Sequence, residues 1–288
     1  MELVLSLFTG AGLLDRGFRE SGFCVVSAGD ILTGQDVRDF APASHIFNGV
    51  VGGSPCQEFS KAFRGKATGY SLELFQEFCR VVRDAAPNWF LLENVTCVPD
   101  VKISGYKIQR FNLNAKECGV RQNRLRCFQF GSCDAARLVL HRAVISEPVE
   151  KCCMATEGTR TKKARRTFED FCELQGLPRN FLSGSDLPQW LKYQLVGNGV
   201  PVAMARVVAT AIKRRAVTKF ARLCICQCGR EVKAGQTLAI DACRQRMSRK
   251  RKRERDAGGG KKPGPVTVAA SLPMFPKLPY STEQLKFA

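Results

Sequence analysis

The stretch VLSLFTGAGLLDRGF, residues 4–18, decides the fold. Val4 to Phe8 is a short apolar run, Thr9-Gly10-Ala11-Gly12 is a glycine turn, and Leu13, Leu14, Gly17 and Phe18 follow at helical spacing. This predicts strand, tight turn, helix. A second apolar run, Phe23 to Ala28, ends in Asp30, twenty residues after Gly10. That spacing suits a nucleoside whose ribose hydroxyls are held by a carboxylate at the end of the second strand. FTGAG lacks the third glycine of the dinucleotide fingerprint, so a tight turn with no ligand explains the pattern equally well. Ile46 to Val51, Trp89 to Leu92 and Cys127 to Phe130 are further strands, and Leu72, Phe75, Cys79 and Val82 give an intervening helix its buried stripe. The alternation predicts an α/β protein, a parallel sheet covered by helices on both faces.

The 288 residues allow one large domain plus a smaller one or a tail. An apolar share of 44% and a charged share of 25% are ordinary for a globular protein. No run of 18 uncharged apolar residues offers a membrane span, and the amino terminus lacks the basic start and small-residue cleavage site of an export signal. No membrane partner is expected, and the 14 cysteines read as reduced thiols. His45 and His141 are the only histidines, which excludes a His-rich metal centre.

Chemistry gathers after the third strand. GGSPCQEFS, residues 52–60, puts Cys56 behind a proline in a Gly-Gly loop at the carboxyl edge of the sheet, where open α/β sheets bind ligands. NWFLLENV, residues 88–95, brings Glu93 to the same edge after four apolar residues, and a carboxylate there is costly without a role. In GVRQNRLRCF, residues 119–128, Gln122, Arg124 and Arg126 alternate, so an extended segment turns all three to one side. A thiol, a carboxylate and two guanidiniums on one edge fit attack on an electron-poor ring.

In this order FTGAG, SPCQ, ENV, QNRLR, RRTFEDFCELQGLP (165–178) and GNGVPVAMA (197–205) resemble the motif set of the cytosine-5 DNA methyltransferases, over residues 3 to about 213. The resemblance implies a Rossmann-like S-adenosylmethionine-dependent sheet with a small target-recognition insert and a basic carboxyl-terminal tail. It implies Cys56 as nucleophile toward carbon 6 of a flipped-out cytosine, Glu93 on ring nitrogen 3, Arg126 on the base carbonyl, and Arg124 as its neighbour. Gln57, Ser60 and Gln122 are the accompanying substrate contacts. For S-adenosylmethionine it implies Phe8, Gly10 and Gly12 as the glycine loop, Asp30 at the ribose, Asp36 near the adenine amine, Leu74 in the adenine pocket, and Asn198. The implied partner is double-stranded DNA and the protein a monomer, cytoplasmic or nucleoid-associated in a prokaryote or phage and nuclear in a eukaryote, with restriction-modification as a setting. A tRNA cytosine methyltransferase and a catalytically silent DNA-binding regulator are the competing readings.

The expected domains are a catalytic unit over 1–131 completed by 190–215, a shortened recognition region over 132–189, and a basic, partly disordered tail over 216–288. Only 33 residues, 132–164, separate the arginine motif from the segment starting at Arg165, so few base contacts are expected. Arg142, Arg160, Lys162 and Lys163 are candidates for phosphates. From Lys213 to Lys262 there are 17 Lys and Arg against four acids, which is +13 of the net +19. Such a run reads as a solubilising tail or as a polyanion anchor, with the anchor favoured because like charges at this density repel unless neutralised. Cys224, Cys226, Cys228 and Cys243 read as a zinc site or a reduced Cys-rich loop, the one-residue gaps being tight for zinc.

Overall fold

The computed structural model describes residues 1–215, apart from 61, 62, 144 and 159–165, together with 222, 223, 231, 232, 241, 243–245 and 247–249. Packing groups residues 1–217 in one unit and begins a second at Thr218.

In chain order the first unit runs β1 (Leu3–Leu7), α1 (Leu13–Glu20), β2 (Cys24–Ala28), β3 (Gly49–Gly52), α2 (Tyr70–Ala85), β4 (Trp89–Asn94) and β5 (Lys107–Asn114). It continues with β6 (Gln122–Asn123), β7 (Leu125–Ser132), β8 (Glu150–Lys151), α3 (Phe168–Leu174), α4 (Gln189–Asn198) and α5 (Val202–Lys213). Six strands make one sheet in the order β2-β1-β3-β4-β7-β5. The first four are parallel, as the βα alternation requires. The expectation of a wholly parallel sheet fails at one strand, since β7 is antiparallel to both β4 and β5. The reason is connectivity: β5 returns into β7 through a ten-residue connection that holds one 3-10 turn, Ala115–Cys118, and β6, with no crossover α-helix between them.

β5 has no counterpart in the sequence reading, because its pattern KIQRFNLN is polar and only Leu113 is fully buried. Ile46 is 58% exposed and lies ahead of β3, and Leu72 turns outward from α2. Phe75, Cys79 and Val82 are buried as expected, and Leu74, Phe78, Val81 and Ala85 complete the stripe of α2.

One face of the sheet packs Val4, Val51, Trp89 and Phe128 against Phe18 of α1 and Met204, Val208 and Ile212 of α5. The other packs Leu5, Val50, Phe90 and Leu92 against α2. Each such side chain, fully buried, stabilises by about 1.5–3 kcal/mol. The apolar segment 189–213 has the length of a membrane span, but its residues form the core around α1. Polar ties hold α5 in place: Lys213 donates to the Ser21 carbonyl at 2.8 Å, Arg206 pairs with Glu20 at 2.6 Å, and Arg215 pairs with Glu2 at 3.0 Å. In the second unit, β9 (Arg222–Leu223) and β10 (Glu231–Val232) pair antiparallel.

Candidate active site

β1, β3 and β4 are parallel neighbours, so the loops that follow them leave the same edge of the sheet. Leu7 is level with Gly52 and Gly52 with Leu92, which starts Phe8, Gly53 and Glu93 side by side.

The first loop is a cradle. Phe8, Gly10 and Gly12 take φ of +54°, +56° and +75°, a region that strains side-chain-bearing residues, and no atom lies within 4 Å of where a Cβ on either glycine would stand. Asp30, 7% exposed, accepts from the Gly10 amide at 2.7 Å and from the Leu32 amide at 2.8 Å. Its two oxygens keep further lone pairs for vicinal hydroxyls. An open, glycine-lined turn with a carboxylate at its side fits the nucleoside end of S-adenosylmethionine. Asp36 caps a 3-10 turn and pairs with Arg38, whose guanidinium holds the Asp36 carboxyl below the ordinary range. Arg38 also reaches Glu73 at 3.4 Å, which brings the Asp36 turn alongside the part of α2 that carries buried Leu74.

Asp15 is a buried carboxylate that sequence reasoning missed, because a lone acid in the first turn of a helix carries no periodic signal. It is 0% exposed and accepts from Ser6 at 2.5 Å and Ser27 at 2.7 Å, tying α1 to the two strands on either side of the glycine loop. Burial pushes its carboxyl up.

The second and third loops are bolted together. Asn94 donates to the Ser54 carbonyl at 3.0 Å and to Ser54 Oγ at 3.1 Å, so the end of β4 fixes the Pro-Cys loop. A Cβ on Gly53 would stand 2.9 Å from Glu93 Oε2, so glycine leaves the carboxylate its place and a side chain there would displace it. Glu93 is 8% exposed, and Arg126 Nε lies 3.1 Å from its Oε1. Burial pushes the Glu93 carboxyl up, and Arg126 followed by Arg124 opposes the shift. Cys56 is half-buried at the start of a 3-10 turn, Gln57–Phe59. Burial and then the Glu93 charge push its thiol above the ordinary range, against the pull of Arg126 and Arg124. The far end of the loop is anchored by Glu58, which accepts from the Thr68 amide at 2.6 Å and the Ser71 amide at 3.0 Å. Gln57 is exposed and Ser60 half-buried on this loop. Behind Glu93, Arg110 donates to the Thr96 and Val98 carbonyls, both at 2.9 Å, and Gln129 holds Pro99 and Val101.

Cys56, Glu93 and Arg126 therefore converge. Gln122 and Arg124 share their side of the chain as the alternation predicts, yet their polar atoms engage other segments: Gln122 donates to Gln175 and Leu174, and Arg124 to the Cys153 carbonyl and to the carbonyls of 197–199. Asn198, exposed at the end of α4, meets Arg124 through its backbone. Arg142 pairs with Glu117. Arg160, Lys162 and Lys163 lie outside the described residues, as do Cys224, Cys226 and Cys228 of the proposed zinc set. Cys243 is buried, and among the described residues no three His, Cys, Asp or Glu side chains gather as a metal site.

Over 163 residues the chain is 32% identical to the Type II methyltransferase M.FnuDI of Fusobacterium nucleatum, covering 44% of this chain and 46% of that one. Over 163 residues it is also 29% identical to the Type II methyltransferase M.NgoPII of Neisseria gonorrhoeae, covering 44% and 47%. The chain thus spans about half the length of the curated relatives it matches. Among solved structures, a DNMT2 mutant of Spodoptera frugiperda superposes with a TM-score of 0.55 at 14% identity, over 74% of this chain and 100% of that one. The methyltransferase EhMeth of Entamoeba histolytica superposes with 0.54 at 13%, over 74% and 98%. These two establish the Rossmann-like fold. Residues 3–154, from the first strand through the glycine loop, Cys56, Glu93 and Arg126, match the C-5 cytosine-specific DNA methylase family, and the chain belongs to that family.

Proposed function

We propose that this protein transfers a methyl group from S-adenosylmethionine to carbon 5 of cytosine in double-stranded DNA, through a covalent Cys56 adduct. The observation that carries the reading is the convergence of Cys56, Glu93 and Arg126 beside the glycine cradle. The Cys56 thiolate, its proton lost to solvent, bonds to carbon 6 through its electron pair while the protonated Glu93 carboxyl gives its proton to nitrogen 3, so the ring takes up the pair without building net negative charge. Burial raises the Glu93 carboxyl toward the protonated form that this step needs. In this reading Arg126, 3.1 Å from Glu93, holds the base carbonyl. The cofactor, held by the 8–12 loop and Asp30, supplies an electrophilic methyl to the carbon 5 that this addition makes nucleophilic. With S-adenosylhomocysteine as the leaving group, loss of the carbon 5 proton to water, return of the nitrogen 3 proton to Glu93 and expulsion of Cys56 as thiolate then restore the aromatic ring and the starting carboxyl. Carbon 6 is unreachable inside the stack, so the base must be flipped out.

The Type II names of the relatives support a restriction-modification setting, and a cytoplasmic monomer completes the reading. The domain scheme is a catalytic unit over 1–131 completed by 190–215, a short recognition region over 132–189, and a tail from 216. Arg124 and Gln122 serve this site from its border.

A Gly53→Ala chain should lose on the order of 10²-fold in kcat with little change in cofactor affinity, because the added methyl displaces the Glu93 carboxylate from its place opposite Arg126. Steady-state methylation with saturating DNA checks this. An unchanged kcat would mean that Glu93 tolerates the shift and its position is not critical.

The tail supplies affinity in this reading. If about half of its 16 Lys and Arg, roughly eight, meet phosphates, log Kd against log salt has a slope of roughly 7 in magnitude. Ending the chain after Thr218 should weaken DNA binding and flatten that slope, while the rate at saturating DNA and low salt stays near that of the full chain. A slope unaltered by truncation would leave the tail a solubilising segment.

The function itself is tested by comparing methyl transfer from labelled S-adenosylmethionine to duplex DNA and to tRNA, with bisulfite sequencing of the DNA product. Label in duplex DNA at defined cytosines supports the reading. Label in tRNA alone, or in neither while DNA is bound, moves the protein to the tRNA or regulatory class.

A further inference from the structure

The described residues of the motif RRTFEDFCELQGLP, 166–178, have no hydrogen bond or ion pair with the Cys56 thiol or the Glu93 carboxylate, yet one of their side chains is fully buried. Gln175 is 0% exposed. Its Nε2 donates to the Val196 carbonyl at 2.7 Å and the Gly199 carbonyl at 3.2 Å, and its Oε1 accepts from Gln122 at 3.1 Å. Arg124 Nη2 covers Gly197 at 2.9 Å, Asn198 at 3.3 Å and Gly199 at 2.9 Å. The final carbonyls of a helix have no partner within it and carry the negative end of its dipole. At α4 these two side chains satisfy all four carbonyls from Val196 to Gly199, and a guanidinium meets the dipole.

The backbone of Gln175 holds the other side of the same junction, its carbonyl accepting from the Val202 amide at 2.9 Å at the start of α5. One residue thus pins both the end of α4 and the beginning of α5. What lies between them abuts the glycine loop. A Cβ on Gly199 would stand 2.9 Å from Leu13 Cδ2 and 3.1 Å from Cδ1, and Leu13 directly follows Gly12. Leu13 and Ala11 pack on the cluster formed by Phe171, Val196 and Val202.

We propose that Gln175, with Arg124 and Gln122, is a positioning residue for the cofactor. By fixing the Asn198–Val200 junction it sets, through Leu13 and Ala11, the open shape of the glycine loop. The proposal rests on the reading of that loop as the S-adenosylmethionine cradle. Cys56, Glu93 and Arg126 hang from β3, β4 and β7, so a displaced junction reaches cofactor affinity before it reaches the chemistry.

The test uses the full chain and titration calorimetry with S-adenosylmethionine, beside steady-state kinetics well below the melting temperature. Gln175→Leu should raise the cofactor Kd and KM about tenfold, within the ordinary range for coupling between neighbouring sites, while kcat at saturating cofactor changes by less than about threefold. Gly199→Ala leaves every polar contact in place but pushes on Leu13, and should raise Kd similarly. Adding Leu13→Val to Gly199→Ala draws both obstructing methyls back toward the backbone and should restore most of the affinity. The Gly199 pair decides the matter if Gln175→Leu fails to fold. A lowered melting temperature with unchanged Kd in the variants would show a merely structural role and overturn the proposal. So would a fall in kcat at unchanged Kd. If the parent chain itself binds no S-adenosylmethionine, the reading of the loop falls and takes the proposal with it, which separates the two failures.

Discussion

A Cys56→Ser chain should lose methyl transfer by on the order of 10⁴-fold or more while binding S-adenosylmethionine and DNA as before. A serine hydroxyl is hardly ionised at neutral pH and forms a poor nucleophile toward an unactivated ring carbon, whereas even a small thiolate fraction is potent. The scale is that of deleting a covalent nucleophile from a preorganised site. The unsubstituted protein should also trap itself on DNA containing 5-fluorocytosine, since the final step must remove a proton from carbon 5 and fluorine offers none. A denaturant-stable protein–DNA band in that experiment, absent for Cys56→Ser, establishes the adduct. An active enzyme that forms no such band would end the covalent mechanism. The thiol's surroundings add a signed expectation. Burial and Glu93 hold the Cys56 thiol above its ordinary range, so alkylation by iodoacetamide should be slow at neutral pH and accelerate as pH rises past that range. Arg126→Met removes the largest opposing pull and should slow alkylation further.

Glu93→Gln should lower kcat by on the order of 10²- to 10³-fold with cofactor Kd essentially unchanged. The amide keeps the size of the side chain and its contact with Arg126, but it has no acidic proton to give to nitrogen 3. The same substitution deletes the charge that pushes the Cys56 thiol up, so alkylation of Cys56 should become faster as turnover falls. Those opposite movements distinguish loss of proton donation from general damage to the site, which would slow both. A large loss of S-adenosylmethionine binding would instead place Glu93 in the cofactor pocket.

Much of this was legible in residues 4–128. The strand, turn and helix of VLSLFTGAGLLDRGF, the helix on the far face of the sheet, and the Cys56 and Glu93 loops all follow from local patterns: period 2 or 3.6, and glycine where φ must be positive. Residues one strand apart need only parallel pairing to share an edge, and the βα alternation supplies it. β5 was not legible, because a polar edge strand needs little burial and so leaves little pattern.

Sequence alone determined which side chains are available for chemistry and that Gln122, Arg124 and Arg126 alternate with the exposed Arg121, Asn123 and Leu125. Only the tertiary structure decided what each of them meets. Arg126 meets Glu93 because β7 runs antiparallel beside β4, a pairing set by contacts far apart along the chain. Arg124 and Gln122 meet the end of α4 and Gln175, some 50 to 75 positions away. Alternation fixes a direction from the backbone, and a buried donor takes whichever acceptor the fold brings within hydrogen-bond distance, since leaving it unpaired costs about 1–3 kcal/mol. The identity of that acceptor is a property of packing, and no local pattern encodes it.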